Sequence, residues 1–193
     1  MTTPIYLYHG ARAWSGTPEV RGAKKGRVEY GPGLYLTTSY ETARKYSKGG
    51  GSVLRIGLDP QIVWLESARM PLADALALAR SLRGAKTRLE RVAYDLSAAA
   101  ERMKGRLGGD VVPVPSLVNL LVNLDLVSGV NGPVVAAALV ALGIEASLVN
   151  AKHGEDWGVL FDPRKIVSVD VVKPSDVGDG KPCPWDWPLL RRP

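Results

Sequence analysis

The stretch GPGLYLTTSYETARKYSKGGGSVLRIGLD, residues 31–59, decides how the chain folds. GLYLTT at 33–38 is a short apolar, aromatic and β-branched run behind a Gly-Pro-Gly turn signal, which reads as a strand. Thr38 and Glu41 stand at capping-box spacing, and SYETARKYS supplies helix formers until Gly49, Gly50 and Gly51 end the helix. SVLRIGLD at 52–59 alternates Leu54, Ile56 and Leu58 with Arg55, Gly57 and Asp59, the pattern of a strand with one buried face. Strand, cap, helix, glycine stop and strand therefore succeed one another within thirty residues or so.

Upstream, IYLYHG at 5–10 is a further strand. Downstream the pattern turns helical. Pro71 opens a helix through Leu72, Leu76 and Ala79, and a longer one runs through Leu89, Val92, Leu96, Ala99 and Met103. After the break VVPVPS, Ser116 caps a third helix that buries Leu117, Leu120, Leu121 and Leu124, and PVVAAALVAL forms a fourth that stops at Gly143. Strands return as IEASLV at 144–149, DWGVLFD at 156–162 and IVSVDVV at 166–172. The expected fold class is α+β, a mixed sheet split by a helical insertion over about 67–143. A single domain is expected over 1–173. A Pro/Trp-rich tail follows over 174–193, and its Trp185 and Trp187 could dock elsewhere.

With 193 residues, 46% hydrophobic and 23% charged, the chain can bury one substantial core and is not of disordered composition. No run approaches the roughly 20 apolar residues of a membrane span. MTTPIYLYHG lacks the basic and apolar regions of a signal peptide, so a cytoplasmic protein without membrane contact is expected. Cys183 is the only cysteine and His9 and His153 the only histidines, which leaves no internal disulfide and no convincing metal centre. The net charge of +6 suits an acidic partner or substrate. Arg83, Lys86, Arg88, Arg91, Arg102, Lys104 and Arg106 concentrate that charge in the helical middle, either as a solvated face or as a surface for a macromolecule.

Common nucleotide signatures are missing: no GxGxxG follows a strand, and GAKT at 84–87 lacks the first glycine and the spacing of a phosphate loop. Polar and aromatic groups gather instead at three strand ends: Tyr8, His9 and Gly10; Tyr35 through Tyr46; Glu155 and Asp156. Each alone has a structural explanation, a satisfied histidine or a tyrosine packed on the core.

Together they resemble the three-part pattern of the His-Tyr-Glu class of ADP-ribosyltransferases, the diphtheria-toxin and poly-ADP-ribose-polymerase type. YHGA at 8–11 is similar to the first motif, GPGLYLTTSYETARKYS at 31–47 to the second, and EDWGVLFDPRKI at 155–166 ends as the third does. The resemblance covers roughly the first 60 residues and the last 40 before the tail, and leaves the helical middle unassigned. It implies an enzyme that takes NAD as substrate, cleaves the nicotinamide–ribose bond and passes ADP-ribose to a macromolecular acceptor, protein or nucleic acid. The small bacterial and phage members, including toxins and anti-CRISPR transferases, are the most similar in size. A glycohydrolase using water as acceptor, or a non-catalytic binding module, are the alternatives within the same fold.

The implied NAD-binding set is His9, Gly10, Ala11, Arg12, Tyr35, Thr42 and Tyr46. Gly10 would clamp the carboxamide through its main chain, because a residue without a side chain lets a ligand come close. His9 would fix a ribose hydroxyl. Thr42 and Tyr46, four apart on a helix, share a face, so a hydroxyl can reach the carboxamide while the ring stacks on the pyridinium, with Tyr35 as the other aromatic wall. His9 and Tyr46 also count among the catalytic residues. The carboxylate that steadies the developing ribosyl cation is Asp156 or Glu155. An acid followed by an aromatic selects Asp156, the first choice, provided that Gly158 is an added bulge residue; strand parity puts Glu155 on the face of Trp157. His153 and Gly154 stand where the arginine-modifying branch carries a second Glu or Gln, so arginine is a less suitable acceptor.

Overall fold

The computed structural model describes residues 3–16, 18–23, 28–48, 50–107, 110–150 and 155–176. His153, Gly154, Cys183 and the expected docking residues Trp185 and Trp187 lie outside the described residues. The elements in order are β1 (Ile5–Ala11), β2 (Leu34–Thr37), α1 (Tyr40–Ser47), β3 (Ser52–Leu58), β4 (Arg69–Pro71), α2 (Leu72–Ser81), α3 (Lys86–Leu107), β5 (Val111–Pro113), α4 (Val114–Asn123), α5 (Asn131–Ala141), β6 (Ala146–Asn150), β7 (Asp156–Leu160) and β8 (Ile166–Val172).

The fold is α+β. Six strands form one sheet in the order β6-β7-β2-β1-β3-β8, and the expectation of a mixed sheet is corrected, since every pair in it is antiparallel. The parallel contact is an isolated bridge between Trp64 and Ala146. A two-stranded ribbon, β4 with β5, was not expected; its three-residue strands carry Pro71 and Pro113, which weaken any strand signal.

Two caps also differ. Ser39, not Thr38, caps α1, its hydroxyl accepting from the Thr42 N–H at 3.1 Å. Thr38 instead joins β2 to β7: its Oγ1 accepts from the Asp156 N–H at 3.0 Å and its N–H donates to the Asp156 carbonyl at 3.0 Å. Helix α4 starts at Val114 behind Pro113, which places the expected cap Ser116 inside the helix. On α3 the buried positions are Val92, Leu96 and Ala100, with Leu89 packed beside them, so Ala100 replaces the expected Ala99.

The sheet's two faces are used differently. Leu7, Leu36, Leu54, Ile56, Leu58, Ala146 and Leu160 make a core on one face. A Cβ added to Gly158 of β7 would stand 2.9 Å from the Leu7 side chain of β1 although β2 lies between those strands, so the sheet bends and this face closes on itself. The other face carries helices. Tyr40 and Ala43 of α1 pack on Tyr8 and Val53, while the helical insertion buries Val92, Leu96, Leu117, Leu121, Val135 and Leu139 together with Val159 and Phe161 behind β7. Between α1 and the insertion runs the cross-strand row Tyr8, Thr37 and Trp157.

Candidate functional site

Strand β1 pairs with β3 along its whole length, but its register with β2 is the single pair Tyr8↔Thr37. Beyond Tyr8 the two strands part, and a cavity of about 670 Å³ occupies the opening. Tyr8, His9, Gly10 and Arg12 line it from β1 and its end, Glu29, Tyr35, Leu36 and Thr37 from the β2 side, Thr42, Ala43, Tyr46 and Lys48 from α1 and its end, and Trp157 from β7. Six of the sequence-selected residues, His9, Gly10, Arg12, Tyr35, Thr42 and Tyr46, thus meet at one place. Ala11 does not line the cavity and is buried in the inner core.

His9 Nδ1 lies 2.8 Å from the Tyr35 carbonyl oxygen. A carbonyl only accepts, so Nδ1 carries the proton, and Nε2 of the neutral ring is an acceptor suited to a hydroxyl donor. Burial holds the pKa of His9 below its ordinary value of 6.5, against the opposing pull of the Tyr35 hydrogen bond. Since the folded pKa is the lower one, the unfolded chain takes up the proton first as pH falls. The contribution of neutral His9 to stability is therefore complete above about pH 6.5 and is lost as pH drops below it through the folded pKa. Thermal melts from about pH 7.5 to about pH 5 should show a falling Tm whose slope flattens in His9→Gln. An unchanged slope would remove His9 as the titrating group.

Tyr35 is doubly anchored: its hydroxyl donates to the Gly31 carbonyl at 2.9 Å and accepts from the Tyr30 N–H at 3.1 Å. Burial pushes its pKa up to about 12, so it stays protonated. Its ring meets Trp157 edge-on, as do those of Tyr30 and Tyr46, with centroids 6.2, 5.7 and 5.9 Å away. Tyr46 is 55% exposed and stands at 87° to the indole, so the two rings form a corner of perpendicular aromatic walls. The indole N–H of Trp157 is buried with no hydrogen-bond partner among the described residues. In the sequence Trp157 stands out only as a landmark of the third motif. Its cross-strand register with Thr37 puts it in the site.

The two carboxylates separate cleanly. Glu155 reaches α1, where the Thr42 hydroxyl lies 2.8 Å from each of its carboxylate oxygens and shares one proton between them. Thr42, expected to reach a substrate amide, lines the cavity and donates its hydroxyl proton to Glu155. Asp156 is buried and does not line the cavity; its Oδ1 accepts from the Asn150 side chain at 2.9 Å. The reason is register. Leu36↔Gly158 and Leu148↔Gly158 sit in unbroken ladders with no bulge, so Asp156 and Trp157 point to opposite faces, and Glu155 shares the face of Trp157. Glycine at 158 answers the approach of Leu7. The end of the third motif is architectural: Asp162 caps the turn at Pro163–Lys165, and the Arg164 guanidinium bonds both its oxygens at 2.8 Å.

The basic middle is substantially paired. Arg91 meets Asp95 at 2.7 Å, Lys86 meets Glu90 at 3.7 Å, Arg88 meets Asp125 at 3.8 Å and Lys104 meets Asp110 at 3.5 Å. Pairs as exposed as these add little stability, but they cancel charge that would otherwise attract an acidic partner. Among the described residues no group of three or more His, Cys, Asp or Glu could hold a metal ion, and no helix is long and apolar enough to cross a membrane.

No protein-family model matches the chain, and no curated protein matches it significantly. A solved structure described as that of an anti-CRISPR protein is similar at a TM-score of 0.36 and 19% identity, over 89% of this chain and 97% of that one, a likeness too distant to fix the fold.

Proposed function

We propose that the protein is an NAD-consuming mono-ADP-ribosyltransferase with its active site in the cavity between β1 and β2. One observation carries this reading: His9 and Gly10 of the first motif meet Tyr35, Thr42 and Tyr46 of the second in one cavity, with Glu155 of the third one hydrogen bond from its wall. Each supplies what glycosidic cleavage of NAD requires. The Tyr46–Trp157 corner offers one ring face and one ring edge to a planar cationic heterocycle. His9 Nε2 accepts from a ribose hydroxyl and fixes the sugar.

In the reaction, the bond from ribose C1′ to the nicotinamide nitrogen breaks and its electron pair leaves with nicotinamide. Positive charge develops on the ribosyl oxygen and C1′. The Glu155 carboxylate, preplaced by Thr42, stabilises that charge without reorganising. A nucleophile on the acceptor then bonds C1′ and releases a proton. Products are nicotinamide, the ADP-ribosylated acceptor and one proton.

The test is incubation with labelled NAD, alone and with a cell lysate, followed by chromatography of nicotinamide and mass spectrometry of macromolecules. Nicotinamide release with ADP-ribose on a macromolecule is the expected result. ADP-ribose appearing only free makes the enzyme a glycohydrolase, and no nicotinamide under either condition overturns the enzymatic reading.

A further inference from the structure

Gly51 sits so tightly between the end of α1 and the end of β1 that a Cβ on it would run into the carbonyls of both Ser47 and Ala11. The residues that follow those two carbonyls are Lys48 and Arg12. The close approach therefore sets the two chain segments that carry these cations side by side, and both residues line the cavity. Neither has an ion-pair partner among the described residues, in contrast to the paired cations of α3. Glu29 is the acid that lines the same cavity.

Lys48 shows a second peculiarity. It adopts φ 40, a backbone conformation that favours glycine, although Gly50 and Gly51 follow almost at once. Strained non-glycine residues cluster at ligand sites, and Lys48 lines the cavity. The last turn of α1 already holds Arg44 and Lys45, so the helix end does not need Lys48 to offset its dipole. Two cations that line one cavity without ion-pair partners among the described residues favour a bound dianion.

We infer that Arg12 and Lys48 form a two-cation subsite for the diphosphate of a dinucleotide, with Lys48 as its specificity-determining residue. The inference rests on the NAD reading of the same cavity and gives the substrate a direction. The pyridinium end lies at the Tyr46–Trp157 corner near Glu155, and the diphosphate crosses the rim at Lys48. Ligands sharing the heterocycle and sugar but lacking phosphate gain nothing from this subsite.

Lys48→Gly is the decisive variant, because glycine relaxes the positive φ while removing the charge, so a loss of fold is not expected. Titration calorimetry with NAD, ADP-ribose, nicotinamide riboside and inorganic pyrophosphate reads the effect. NAD and ADP-ribose should each bind roughly tenfold more weakly to Lys48→Gly, with nicotinamide riboside unchanged and Tm equal or higher. The salt dependence of NAD binding should shrink with the charge. Lys48→Arg should restore most of the affinity. Equal losses for NAD and the riboside, or none for NAD, overturn the subsite. The two readings fail separately: pyrophosphate binding that is lost in Lys48→Gly, in a protein that never releases nicotinamide, keeps the subsite and removes the transferase. Nicotinamide release with the same KM for NAD in wild type and Lys48→Gly does the reverse.

Discussion

Glu155→Gln is expected to slow nicotinamide release by about 100-fold or more while NAD binding stays within a few fold, the usual scale for removing one preorganised electrostatic contact. The substitution is close to isosteric, and the amide carbonyl of glutamine still accepts the Thr42 hydrogen bond, so the wall of the cavity keeps its shape. Only the charge is lost. Asp156→Asn is the matched control. Its Oδ1 accepts from Asn150 on the other face of β7, and asparagine keeps an acceptor there, so turnover should change by no more than a few fold. The reverse ranking would transfer the role to Asp156 and require a bulge that the β2–β7 and β6–β7 registers do not contain. Full activity in both variants would remove the carboxylate mechanism altogether. Single-turnover measurements at saturating NAD separate the chemical step from binding and make the comparison direct.

What the sequence discloses of this site follows from where its signals are local. Thr42 and Tyr46 stand four apart on a well-marked helix, so their shared face is legible from periodicity, and both line the cavity. His9 and Gly10 lie near the end of a strand marked by its apolar and aromatic run. The carboxylate is another matter, because its facing depends on whether Gly158 adds a residue to β7. A glycine in a strand signals a bulge or a close backbone approach, and sequence does not separate these. The unbroken β2–β7 and β6–β7 registers exclude the bulge, and the approach of Leu7 that calls for the glycine joins residues some 150 positions apart. Trp157 was hidden for the same reason: its place beside Thr37 and Tyr46 is a product of cross-strand register. The cap at Ser39 differs by one residue from the capping-box spacing because Thr38 is claimed by the peptide of Asp156 on a distant strand. Local rules thus located the elements, and long-range pairing decided which way their side chains point.

Gly10→Ala should lower both stability and turnover. Glycine there is explained first by packing, since a Cβ would collide with the Ala43 carbonyl and crowd the Ser47 amide, both backbone atoms of α1. No side-chain rotation relieves that contact, so α1 must move away from β1. Overpacking of this kind costs about 1–3 kcal/mol, which at this chain length lowers Tm by roughly 2–12 °C. The shift acts on the site as well, because the same helix carries Thr42, and through it Glu155, together with Tyr46. Moving it by a few tenths of an ångström misplaces the acid relative to the aromatic corner. Turnover should therefore fall by about 100-fold or more, beyond any loss of NAD affinity. Calorimetric melts and nicotinamide release, measured on one preparation, test both halves. A variant that melts as the wild type does but no longer binds nicotinamide would show that glycine is needed at the ligand and not beneath α1. A variant that melts lower yet turns over at full rate would show that the placement of α1 does not govern the chemistry, and would take Glu155 and Thr42 out of the active site.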